Sequence, residues 1–223
     1  MKEFINIVSK IYVMKDNAKR FWNYLWNDDS LGSWLLNLAI AFIFIKFLIY
    51  PLLGFALGSD LPIVAVVSGS MEQKINEDPS GRFYMCGYSF MQKVDISRNE
   101  WWGFCGEWYE NQYNITQAQF EDFPISKGLY VGDLVVLGGY NSLSVGDIIV
   151  FDGGRSVPII HRIVDVYEEE GELFYATKGD NNPDIEARLG EDRLSESDIY
   201  GKAVLRVPYF GYFRLLLSQM IGF

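Results

Sequence analysis

The run LLNLAIAFIFIKFLIYPLLGFAL, Leu35 to Leu57, constrains this chain more than any other stretch, because Asn37 and Lys46 alone interrupt its apolar character. A helix needs about 20 apolar residues to cross a hydrocarbon core, so the run predicts a transmembrane helix; a buried helix of a soluble protein is the alternative. Lys46 is costly at mid-span and has to snorkel, find a polar partner or sit where the bilayer is thin. Pro51 is expected to kink the helix just after it. The run is too long and begins too late for a cleavable signal sequence, and no small-residue cleavage pattern follows it, so the anchor is expected to remain.

Orientation follows from the flanks. Lys2, Lys10, Lys15, Lys19 and Arg20 precede the run, whereas Gly58-Ser59-Asp60 after it carries no basic charge. The positive-inside rule then predicts a cytoplasmic N-terminus and a single pass through the cell membrane, with the rest extracytoplasmic. Residues 1–33 form a cytoplasmic segment, 34–58 the span and 59–223 the outer domain. Phe4, Val8, Ile11 and Tyr12, then Phe21, Trp22, Leu25 and Trp26, recur at helical spacing. They predict an amphipathic helix lying on lipid, or equally one packed on another protein. With 223 residues there is room for one anchor and one compact domain. The net charge of −10 argues against a nucleic-acid partner, since phosphate binding relies on Lys and Arg.

Beyond the anchor the signals are short strands. PIVAVVS is followed by VGDLVVL and its near copy VGDIIVF, in which Gly-Asp marks a turn and a β-branched run follows. VPIIHRIVDVY, ELFYATKG and GKAVLRVP continue the pattern. The fold expected is mainly β: a coiled, barrel-like sheet with an N-terminal transmembrane helix and an inserted aromatic-rich lobe at 72–128. That lobe holds Trp101, Trp102, Trp108, Tyr109 and Phe120 without a clean period, with helix expected near 99–122. It serves either as a small private core or as a surface resting on lipid. Asn114-Ile115-Thr116 is a glycosylation sequon, usable only outside the cytoplasm. The closing VPYFGYFRLLLSQMIGF is too short to span and is expected to pack on the sheet or dip into the outer leaflet.

Cys86 and Cys105 with one histidine, His161, are too few ligands for a zinc site, so no metal is expected. The two cysteines either form a disulfide, if their segment faces an oxidising exterior, or remain free thiols.

Three places could carry chemistry. Ser70 opens a turn in VVSGSMEQKI just after a strand; a serine attacks a carbonyl only if a base takes its proton and donors receive the oxyanion. The Ser70 N–H and the Ser68 hydroxyl are the candidate donors. His161 is the one side chain suited to be a general base near neutrality. TKGDNNPDIEAR brings Asp180, Asp184 and Glu186 together, any of which could hold the imidazole's second N–H. Each alone reads as an ordinary turn, a structural histidine or a solvated acidic loop. SGSME is not a Gly-x-Ser-x-Gly elbow, and Gln73 removes a Ser-x-x-Lys pairing.

VSGSMEQ, VGDIIVF, PIIHRIV, TKGDNN and GKAVLRVPYFGY, in that order between about Ile63 and Tyr212, resemble type I signal peptidases. The likeness is to the archaeal and endoplasmic-reticulum branch, where histidine stands for the usual bacterial lysine. It implies a serine endopeptidase that removes signal peptides from secretory precursors through an acyl-enzyme, without a cofactor. Ser70 would be the nucleophile, His161 the base, and Ser68 an oxyanion donor. Asp180 matches the first acidic position; the second, six residues on, holds Glu186, with Asp184 just before it, so the supporting acid lies among these three, the aspartates favoured. The family's proline after Ser-Met-Glu is replaced by Gln73. The link from Leu57 to Ser70 is short, which would keep the nucleophile near the membrane surface, where a precursor presents its cleavage site. Precursors and membrane lipid are the partners implied; other subunits are left open. The alternative is a membrane-anchored binding module using the aromatic lobe, with an idle serine.

Overall fold

The computed structural model describes residues 2–212. The chain divides into two compact units at Leu53 and Gly54. The terminal stretch after Tyr212, for which packing on the sheet or the outer leaflet was expected, lies outside the described residues.

In the first unit, helix α1 (Lys2–Asn27) is followed by α2 (Leu31–Phe44). Ser30 caps α2: its Oγ accepts from the Ser33 N–H at 3.2 Å, satisfying a donor that helix geometry leaves without a partner. Asn37, one of two polar interruptions of the apolar run, donates to the Leu25 carbonyl at 2.7 Å and so closes the end of α1. A π-helical turn, Ile45–Ile49, carries α2 into α3 (Tyr50–Leu57), giving a continuous helix of 27 residues. It is long and apolar enough to cross a membrane. Proline's ring crowds the carbonyl four residues back. The wider turn before Pro51, in which the Tyr50 N–H reaches the Ile45 carbonyl, takes up that conflict. The Lys46 ammonium lies 5.8 and 5.5 Å from the ring centroids of Phe42 and Phe47, its aromatic neighbours on the same helix.

Among the described residues helix exceeds strand, yet the second unit is organised by a curled six-stranded half-barrel. Its strands are β1 (Ile63–Ala65), β5 (Leu134–Gly138), β6 (Ile148–Phe151), β7 (Ile159–Glu169), β8 (Glu172–Lys178) and β9 (Ile199–Val207), in the order β1-β5-β9-β6-β7-β8, antiparallel throughout. A smaller sheet joins β2 (Asn76–Glu77), β3 (Phe83–Met85) and β4 (Tyr88–Phe90).

The two Val-Gly-Asp copies do the same job twice. Gly132 and Gly146 sit at φ +88° and +96°, where a side chain is disfavoured. Asp133 then accepts from the Tyr130 N–H and from Arg206 of β9, while Asp147 accepts from the Ser144 N–H and pairs with Lys202 of β9 at 2.7 Å. Each turn thereby fixes where its strand begins and ties it to β9. Val64, Val66, Leu137, Val150 and Ile160 fill the main core between the curled faces.

The 72–128 segment contributes β2–β4 and two helices, α4 (Arg98–Tyr113) and α5 (Gln117–Asp122), both opened by reciprocal capping boxes, Ser97 with Glu100 and Thr116 with Gln119. Trp101, Tyr109 and Phe120 are buried with Val164 of β7 and Ala176 of β8, so the lobe has an aromatic core continuous with the sheet. Its members each bury large apolar areas, which outweighs the weak intrinsic helical pattern. Cys86 and Cys105 are joined in a disulfide that ties the β3–β4 turn to α4. Asn114 of the sequon is exposed at the end of α4, in the left-handed region.

Candidate active site

Ser70 lies in the turn that leaves β1, and that turn is held from several sides. The Gly69 carbonyl accepts from the Asn76 amide at 3.0 Å and from the Glu72 N–H at 3.1 Å. Buried Glu72 in turn accepts from the Val131 N–H at 2.9 Å. The Ser70 carbonyl accepts from the Asn181 N–H at 2.7 Å, which binds the serine turn to the loop after β8. Ser70 Oγ stands 3.3 Å from Ser68 Oγ.

Opposite it, β7 presents His161, buried at 3% exposure. Its Nε2 is 3.0 Å from Ser70 Oγ, across 91 residues of sequence. On the other side of the ring, Nδ1 lies 2.5 Å from Glu191 Oε1. Among the described residues neither of these enclosed atoms has a well-aligned hydrogen bond, so the contact is an ion pair only when the ring carries a proton on both nitrogens. Glu191 is itself fixed: Oε2 accepts from the Glu186 N–H at 2.8 Å, and its carbonyl accepts from the Thr177 N–H at 2.7 Å.

None of the three acids singled out in the sequence touches the imidazole. Asp180 is fully buried and forms a two-pronged pair with Arg162, at 2.9 and 2.8 Å. It also accepts from the Tyr109 hydroxyl and from Gln73, each at 3.3 Å. Burial and then the neighbouring Asp180 charge push the Tyr109 phenol well above its ordinary range, so it stays a neutral donor. Arg162 spends its remaining donors on the Pro124, Ile125 and Gly146 carbonyls, lacing β7 to the lobe's exit. Asp184 is exposed and accepts from the Trp108 indole at 3.0 Å; Glu186 is half-exposed and pairs with Arg188. The place beside the ring belongs to Glu191, which only the return of the chain after Gly190 brings there. Nothing in the local sequence distinguishes Glu191 from the other acids of that loop. Gln73, where the family's proline was missed, bridges the Ser126 carbonyl and Asp180 and so joins the serine turn to the buried pair.

A cavity of about 290 Å³ opens at the serine, lined by Ala65, Val66, Met71, Val157, Ile159 and Ile160 among others. The arrangement offers a hydroxyl, an imidazole able to take its proton, a carboxylate behind the ring and an apolar cleft for an extended chain.

No family model matches the chain. Over 95 residues it is 40% identical to the signal peptidase complex catalytic subunit of Neurospora crassa, a match covering 40% of this chain and 55% of that protein. The Chaetomium globosum protein of the same name is 38% identical over 95 residues, again 40% of this chain and 55% of the relative. A corresponding subunit from Canis lupus familiaris is 34% identical over 95 residues, 40% of this chain and 50% of the relative. The chain thus spans about half the length of the curated relatives it matches. The resemblance to type I signal peptidases of the endoplasmic-reticulum branch is borne out by these homologues.

Proposed function

We propose that this chain, a homologue of signal peptidase complex catalytic subunits, is itself a membrane-anchored serine endopeptidase that removes signal peptides from secretory precursors. The observation that carries the reading is the approach of Ser70 Oγ to Nε2 of the sole histidine, 3.0 Å apart at the mouth of an apolar cleft.

In this reading the precursor adds as an extended strand along the exit of β1, its small side chains before the scissile bond resting on Val66, Met71 and Ile160. Ser70 attacks the carbonyl as His161 Nε2 takes its proton, and the Ser70 N–H and Ser68 hydroxyl receive the oxyanion. The imidazolium returns the proton to the departing amine of the mature chain, leaving an ester on Ser70; water, activated by the same ring, releases the signal peptide. Glu191, beside Nδ1, stabilises the ring when it becomes charged. Asp180 acts at one remove, holding Arg162 and the loop that binds the Ser70 carbonyl. Asp184 and Glu186 take no part in the chemistry.

The 27-residue helix Leu31–Leu57 is the anchor, with the N-terminal segment cytoplasmic and residues 59–223, lobe included, on the far side. Because the relatives are named as subunits of a complex, this chain is expected to work with additional subunits. Purified full-length protein in detergent should cleave a secretory precursor at its signal-peptide junction, and Ser70→Ala and His161→Ala should each abolish cleavage. Retained processing by either variant overturns the assignment.

A further inference from the structure

Asn182 lines the cleft together with Ser70 and His161 and is half-buried, which leaves its side chain within reach of a bound peptide. Its place is fixed by backbone: the Asn182 N–H donates to the Gly179 carbonyl at 2.9 Å, and Asn181 just before it is tied to the Ser70 carbonyl. The other amides around the serine turn are spent. Asn76 donates to the Gly69 carbonyl, Gln73 to the Ser126 carbonyl and Asp180, and Asn181 to the Lys74 carbonyl. Among the described residues the Asn182 amide alone of these four has no hydrogen-bond partner. An unspent amide nitrogen has two protons to donate.

Its distance from the base is bounded by a shared reference point. A Cβ built on Gly179 would stand 2.8 Å from His161 Nε2 and 2.9 Å from Asn182 Nδ2, so the two nitrogens are no further apart than those lengths laid end to end. In the peptidase reading, Nε2 hands its proton to the departing amine, whereas the oxyanion is received on the serine's own turn by the Ser70 N–H and the Ser68 hydroxyl. A donor close to Nε2 therefore serves the amine side of the scissile bond. Asn182 is also the one residue that the cleft shares with the lining of a second cavity, of about 360 Å³, whose other walls include Tyr88, Trp108 and Asn111 of the lobe and none of Ala65, Val66, Val67 or Ser68. It stands where the cleft ends toward the lobe. On the amine side the first polar group of the substrate is the carbonyl of the residue whose nitrogen departs, and a carbonyl taken out of water is costly unless a donor meets it.

We infer that Asn182 Nδ2 donates to the backbone carbonyl of the first residue of the mature chain and so positions the departing amine against His161 Nε2. The inference rests on the peptidase reading above. Because the acceptor is backbone, the contact is the same for every precursor sequence.

The test uses full-length protein in detergent and two peptides that span one signal-peptide junction. They are identical except that a trans-alkene replaces the peptide bond after the first mature residue in the second, which keeps the shape and removes the acceptor. Wild type should cleave the parent about fivefold more efficiently, in kcat/KM, than the alkene peptide, the effect of one uncharged hydrogen bond. In Asn182→Ala that ratio should fall to near one, whatever the variant's absolute rate. Asn182→Asp keeps an acceptor in the same place but no donor, so its ratio should also fall to near one, which keeps the idea testable if the first variant does not fold. A role in the fold alone, or in receiving the oxyanion, would slow both peptides alike and leave the ratio at its wild-type value. That result, or a wild-type ratio near one, overturns this inference and leaves the peptidase reading standing. No cleavage of the parent by wild type overturns the peptidase reading and this one with it.

Discussion

Glu191 Oε1 lies 2.5 Å from Nδ1 of His161, both groups sealed from solvent, while Asp180, the residue matching the family's first acidic position, holds Arg162 instead. The two buried carboxylates take different partners. One meets the imidazole; the other neutralises a permanent cation that ties β7 to the lobe. A carboxylate cannot do both at once, because the Asp180 oxygens are already taken by a guanidinium, a phenol and an amide.

Replacing Glu191 by Gln keeps the shape and removes the charge. By analogy with the loss seen when a triad carboxylate is made an amide, kcat should fall about 10⁴-fold. Asp184→Asn and Glu186→Gln, on exposed or half-exposed groups, should leave kcat within about twofold. Rates on a single purified precursor check all three; a large loss at Asp184 or Glu186 with a mild one at Glu191 would reverse the assignment.

The sheet was legible because its strands are bounded by turn chemistry: each Val-Gly-Asp copy announces a left-handed glycine and a capping carboxylate. Ser70 and His161 were legible as residue types, one a serine in a tight turn and one the only imidazole. The approach of Glu191 to the ring was not, since its position depends on how the chain doubles back after Gly190, a long-range matter that local spacing does not encode. The lobe's aromatic residues fix no period because they pack around a centre shared with β7 and β8 rather than along one helix face.

Asp180→Ala would strand a fully buried guanidinium, and breaking such a pair costs about 3–5 kcal/mol. The variant should show a lowered denaturation midpoint and accumulate poorly, with activity lost along with the fold. Pairing it with Arg162→Met should recover much of the stability while leaving the loop, and therefore kcat, impaired. A denaturant series on single and double variants measures this; additive losses would deny the coupling.

Lys178 sets a pH dependence of stability. Its folded pKa, about 8, lies below the unfolded value of 10.5 mainly because of burial. Between those values the unfolded chain holds more protons than the folded one, so stability rises with pH across that window and the cost is fully present below about 8. The shift corresponds to roughly 3 kcal/mol. The unfolding free energy of the wild type should climb between about pH 8 and 10, and Lys178→Met should be more stable at neutral pH and lack that climb. A flat wild-type profile over that range would show that the ammonium is not desolvated.

The disulfide reaches Ser70 through backbone alone. The Cys86 N–H donates to the Asn181 carbonyl at 3.1 Å, and the Asn181 N–H donates to the Ser70 carbonyl at 2.7 Å. Closing a loop of this length stabilises by about 3 kcal/mol. The Cys86→Ser, Cys105→Ser double variant should therefore lose lobe stability, seen as faster proteolysis within the lobe, and should also lose kcat. Faster proteolysis with unchanged kcat would mean that the lobe does not steady the serine.

Gly179 makes the sharpest demand on the site. A Cβ there would stand 2.8 Å from His161 Nε2, 2.8 Å from the Ser70 carbonyl and 2.9 Å from the Asn182 amide, distances that real side chains essentially never show. Two of the three neighbours cannot yield cheaply, since the ring is packed against Glu191 and the carbonyl is held by Asn181. The added methyl must therefore separate the serine from the base, and displacements near an ångström cost about 100-fold in rate. Gly179→Ala should keep a wild-type denaturation profile to within about 1–3 kcal/mol, the usual cost of overpacking, yet lose at least that much kcat. Gly154→Ala makes a control: that glycine also lies in a loop, at φ +68°, but nothing crowds the position of its Cβ, so backbone strain acts there without touching the pair. Equal kcat in the two variants would mean that the close approach at Gly179 has no bearing on the reacting atoms.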